Sequence, residues 1–185
     1  MINNIQQLKS EILTRKIASE EDLRGWSERD IELIEQKYGK LPLAYKQIMN
    51  LLGCEGGKWL SHYKTSIFSF ERAIDINDWL VNGGFLLNDS RTETIKELEN
   101  VFFMGGQYAE YNGGIAFIKT GENLLDSPVY CIDMASTNLP TIDEWLDTLE
   151  IDSNSIWEWI EKFVDLAEHE MLKPKPEPKR FWSLW

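Results

Sequence analysis

An α+β fold, with an antiparallel-rich sheet flanked by N- and C-terminal helices, is what this 185-residue sequence predicts. Three observations carry the prediction. Apolar residues recur at helical spacing towards both ends, and the middle consists of short aromatic and β-branched strings broken by glycine. The two kinds of segment are also grouped rather than alternating as βαβ units. With 43% hydrophobic residues the chain is long enough for one domain with a full core. We divide it into an N-terminal helical extension (1–26), a principal domain (27–172) and a tail rich in proline and lysine (173–185).

Apolar residues at 5, 8, 12 and 13 predict a helix over 5–17, followed by an acidic loop at "SEED". In "SERDIELIEQKYG", Ser27 caps a second helix and Asp30, three residues on, supplies the reciprocal carboxylate; Ile31, Ile34 and Tyr38 form its stripe and Gly39 stops it. Pro42, with fixed φ and no N–H, marks the start of a third helix. That helix carries Leu43, Ile48, Leu51 and Leu52 on its apolar side and Lys46, Gln47 and Asn50 on its wet side, and Gly53 is expected to close it with a positive φ. "TSIFSF" then reads as a strand, and "ERAIDINDWLVNGG" and "RTETIKELEN" as helices.

"VFFMGG", "QYAEYNGGIAFIKT" and "PVYCIDM" supply the sheet. Asn112-Gly113 suits a type I′ hairpin, because both residues tolerate φ > 0, so a strand Tyr108–Tyr111 is expected to turn into Gly114–Lys119. "PVYCID" pairs on the far side through the loop "TGENLLDS". "TIDEWLDTLE" and "SIWEWIEKFVDLAEHEML" return to helix, the latter with Ile156, Ile160, Phe163, Val164 and Leu166 inward. The alternation of proline and charge in "KPKPEPKRFWSLW" resists both helix and sheet, while its aromatic residues seek a surface to dock on.

The formal charge of −12 is unevenly spread. Residues 141–170 hold ten acids against the single base Lys162, whereas the tail reverses the sign with four bases against Glu177. A phosphate backbone is held by Lys and Arg releasing its counterions, so direct nucleic-acid binding is not expected and a basic protein partner is. An acidic helix face is also commonly just solvated. The N-terminus lacks a basic segment followed by an apolar run, and no apolar stretch is long enough to span a bilayer, so a cytoplasmic protein is expected. Cys54 and Cys131 read as reduced thiols rather than a disulfide, and neither His62 nor His169 has a second His or Cys nearby.

The phosphate-loop, nucleophile-elbow and common zinc-binding patterns are all missing from the sequence. Glu110 and Asp133, on neighbouring expected strands, are the best carboxylate pair for acid–base work, but a pair without placed geometry is weak ground for an enzyme. Trp26, Trp59, Trp79 and Trp145 suit a core better than a ligand platform. We therefore expect neither catalysis nor a cofactor. The residues best placed to meet a partner are Tyr108, Glu110 and Tyr111 around one glycine turn and Glu55 in the other.

One arrangement is more specific. An acidic helix ending "IEQKYGK", then "LP", a Tyr-Lys helix, paired glycines and a glycine-broken meander resembles the SMI1/KNR4 type of the SUKH superfamily. The matching positions are Ile31, Ile34, Glu35, Gly39, Leu41, Pro42, Tyr45, Lys46, Gly53, Gly56 and Gly57, and more loosely Phe102, Gly105, Gly106, Gly114, Val129 and Tyr130. The family often has Asn before the paired glycines, where this chain has Cys54-Glu55. The resemblance implies an α+β sheet fold. For bacterial members it also implies an immunity protein that binds and neutralises a cognate toxin, commonly a nuclease; the fungal members imply the alternative of a regulatory scaffold in cell-wall signalling.

Overall fold

The structure is a computed structural model that describes residues 1–53, 55–56, 73–75, 77–78, 101–106, 114–121, 124–133 and 150–172. Its class is the expected one. Helices α1 (Ile5–Thr14), α2 (Glu28–Tyr38) and α3 (Leu43–Leu52) precede a four-stranded antiparallel sheet, and α4 (Ile156–Leu172) follows it. The strands β3 (Val101–Gly106), β4 (Gly114–Lys119), β5 (Val129–Asp133) and β6 (Glu150–Ser153) lie in chain order. A separate two-stranded pairing joins β1 (Leu23–Arg24) to β2 (Glu55–Gly56).

Local chemistry explains most of the boundaries. Ser27 and Asp30 make the reciprocal capping box, with Asp30 N–H donating to Ser27 Oγ at 3.2 Å and Ser27 N–H to Asp30 Oδ2 at 2.9 Å. Gly39 ends α2 at φ +91°, a conformation that side chains with a Cβ rarely adopt. α1 is shorter than its pattern suggests. Lys16 takes φ +57°, its N–H bonds Leu13 O, and Ile17 N–H reaches back to Ile12 O, the paired bonds of a Schellman stop. The turn delivers Ile17 into the core.

Two further expectations are corrected. Gly53 sits at φ −64°, not in the left-handed region; a Cβ there would stand 2.2 Å from Trp26 Cδ1, so glycine serves close approach. Trp26 is buried against it and donates its indole N–H to Gly53 O at 2.7 Å. Glu150, read as the end of a helix, instead begins β6, which pairs with β5 as Tyr130↔Ile151 and Cys131↔Glu150. The expected strand at "TSIFSF", the helix at "RTETIKELEN", the Asn112-Gly113 turn and the tail lie outside the described residues. Within "ERAIDINDWLVNGG", residues 73–75 and 77–78 are helical.

One apolar cluster runs through all the layers. Leu8 and Ile12 of α1, Ile31 and Ile34 of α2, Tyr45, Ile48, Met49 and Leu52 of α3, and Trp159, Ile160 and Val164 of α4 meet Phe102, Met104, Ala116, Ile118 and Val129 of the sheet. At about 1.5–3 kcal/mol per large buried side chain, this joint burial is the main stabilising contribution. Residues 1–26 contribute Leu8, Ile12, Ile17 and Trp26 to the same cluster as the remainder of the chain. Leu43, expected inward, faces solvent at the first position of α3, while Leu166 is half-buried and Trp159 fills the core beside Phe163.

Candidate protein-binding surface

The motif residues assemble around one carboxylate. Glu35, on the last turn of α2, has a side chain only 6% exposed. Its Oε2 accepts from Lys40 Nζ at 2.6 Å, while its Oε1 accepts from Leu41 N–H and pairs with Lys46 Nζ, both at 3.1 Å. Burial pushes this carboxyl up, but the bonds from Lys40, Lys46 and the Leu41 N–H outweigh it, and the group stays below its ordinary value. Glu35 thus ties the end of α2, the Leu-Pro turn and α3 into one unit. Tyr45, the neighbouring motif residue, is wholly buried edge-on to Trp26 and tilted against Phe102.

This unit is pinned to the loop between β4 and β5. Pro42 offers α3 no side-chain cap; instead the first two helical N–H groups, of Leu43 and Ala44, donate to Leu124 O and Leu125 O at 2.9 and 3.0 Å. Thr120 Oγ1 donates to Tyr38 O, and Gly121 N–H to Lys40 O. Asp126 Oδ1 accepts the Ile156 N–H and so caps α4. Held at so many points, the loop projects Leu125 outward at 74% exposure beside exposed Leu43. Sequence reasoning missed the exposed Leu125. The signal was two adjacent leucines inside an otherwise polar loop.

The sheet carries a second aromatic feature on the side away from the main cluster. Phe103, Phe117, Tyr130 and Ile151 face one another in register across all four strands. The Phe103 and Phe117 rings stand 5.7 Å apart and those of Phe117 and Tyr130 stack at 5.2 Å. The row grades from buried Phe103 and Phe117 through half-buried Tyr130, with Lys119 Nζ 5.5 Å over its ring, to Ile151 at 55% exposure.

The acids of α4 are largely paired within the fold. Arg15 Nη1 donates to Asp165 at 2.6 Å and Glu168 at 3.1 Å while its Nε donates to Glu11; the bond to Asp165 foremost, opposed by burial, raises the guanidinium further above its ordinary value. Glu161 accepts from Ile2 N–H, and Glu158 from the side chain and N–H of Asn154, which hold its carboxyl below the ordinary value. Lys162 bonds the Asp152 carbonyl and sits near Glu158. On α2, Glu28 and Glu32 face solvent on successive turns.

Of the residues expected to meet a partner, Glu55 lies in β2, its backbone opposite Arg24. Tyr108, Glu110 and Tyr111 fall in sequence between β3 and β4 and lie outside the described residues. Asp133 of the weighed carboxylate pair is in β5 opposite Gly114, and Glu110 again lies outside. Among the described residues no three of His, Cys, Asp or Glu gather as a metal site. No helix among them is long and apolar enough to cross a membrane. The chain matches no family model, no curated protein and no solved structure.

Proposed function

We propose that this protein is an immunity protein of the SMI1/KNR4 type, which neutralises a cognate bacterial toxin in the cytoplasm by binding it, without catalysis or cofactor. The observation that carries the reading is the Glu35 unit: Ile31, Ile34, Glu35, Gly39, Leu41, Pro42, Tyr45 and Lys46, which carry the sequence resemblance, each have a structural task in one stapled element set against an antiparallel sheet. The acid excess, 31 Asp and Glu against 19 Lys and Arg, suits a basic partner. A nuclease is the toxin class that most needs a basic surface, since it must hold nucleic acid. The proposed contacts are Tyr108, Glu110 and Tyr111 between β3 and β4, with Glu55.

The test is co-expression with the product of the neighbouring gene. Growth rescue by this chain, together with a complex that survives gel filtration, supports the proposal. A toxic neighbour that is neither bound nor neutralised sinks it. Rescue without a stable complex would refute neutralisation by tight binding.

A further inference from the structure

Among the described residues β3 is an outer strand of the sheet, and its composition is hazardous. Val101, Phe102, Phe103 and Met104 are apolar and uncharged, with strong strand propensity, and no Lys, Glu or Pro interrupts residues 101–106. An edge of that kind templates pairing with another chain. The other edge is defended: β6 carries Asp152 as a bulge between Ile151 and Ser153, and Lys162 occupies the Asp152 carbonyl.

At β3 the defender comes from elsewhere. Asn77, 1% exposed, accepts the Phe103 N–H on Oδ1 at 2.9 Å and donates from Nδ2 to Phe103 O at 2.8 Å. A side-chain amide offers the same donor and acceptor as a backbone peptide, so it occupies both groups that a neighbouring strand would use. Its Nδ2 also donates to Ala73 O at 2.8 Å, which fixes its rotamer. The helical residues carrying it are held on α2, where Tyr38 Oη donates to Asp78 at 2.6 Å and Lys37 pairs with the same carboxylate. The bulge at Met104 begins only after Phe103, leaving Val101–Phe103 in regular register.

We propose that Asn77 closes the edge of β3 against antiparallel pairing with a second copy of this chain. It acts as a one-residue substitute for a fifth strand. Sedimentation velocity over rising concentration tests this. Asn77→Ala is expected to shift the protein from monomer towards a species of doubled mass, and adding Val101→Lys, which places a charge on the opened edge, is expected to restore the monomer. A single variant that stays monomeric throughout, or a double variant that associates as strongly as the single one, overturns the proposal. Should Asn77→Ala not fold, amide exchange in the unaltered protein decides. Phe103 protected as well as the interior amides of β4 supports closure of the edge, and exchange at the rate of an open amide refutes it.

Discussion

Lys16 holds a left-handed backbone that glycine adopts at lower cost, because its φ of +57° crowds any Cβ. Lys16→Gly should raise stability by up to about 1 kcal/mol, the relief of strain exceeding the entropy gained by the unfolded chain. A lower melting temperature for this variant would show that the Lys16 side chain contributes more than its backbone costs. Tyr45 presents the opposite case. Its hydroxyl is fully buried with no hydrogen-bond partner among the described residues, and burial pushes its pKa up. Tyr45→Phe should therefore leave stability unchanged or raise it by about 1 kcal/mol, as measured by denaturant unfolding. Some single-residue features were legible in the sequence, such as the Ser27–Asp30 box, because both partners lie three residues apart. Others were not: glycine at 53 answers to Trp26, 27 residues away, and nothing local distinguishes that demand from a left-handed cap.

At the scale of elements, the α2–α3 pair was legible because capping, periodicity and the Leu-Pro turn all point the same way. β6 was not, since "EIDS" is short and polar and becomes a strand only by lying against β5. The joint between the two helices has a definite pH response. The Glu35 carboxyl is held below its ordinary value of 4.5 in the folded chain, so the unfolded chain binds more protons there. Its stabilising contribution is complete above that value and is lost as pH falls through the folded-state pKa. Glu35→Gln should cost about 1–2 kcal/mol near neutrality and lose less stability on acidification than the native chain. Asp78, lowered chiefly by Lys37 and Tyr38, acts with the same sign, so some acid sensitivity should remain. Melting curves recorded down to about pH 3 measure both effects, and parallel pH profiles for the two proteins would remove Glu35 from the account.

For the whole molecule, the sequence displayed the acid excess but could not show how much of it α4 consumes internally, because Arg15 is remote from Asp165 and Glu168 in sequence. Pairing leaves the overall charge at −12, and long-range steering depends on that total. Association with a basic partner should therefore slow about tenfold or more between low and high salt, since exposed charges are screened over ~8 Å at physiological ionic strength. A salt-independent association rate in stopped-flow mixing would exclude steering. The contact of Arg15 with Asp165 spans 150 residues, and α1 and α4 also share the apolar cluster. During synthesis at roughly 5–20 residues per second, α1 waits on the order of ten to thirty seconds for α4 to be made. Until then Leu8 and Ile12 lack part of their cover, so a ribosome stalled before residue 156 should hold a protease-sensitive nascent chain, and resistance should arrive only with α4.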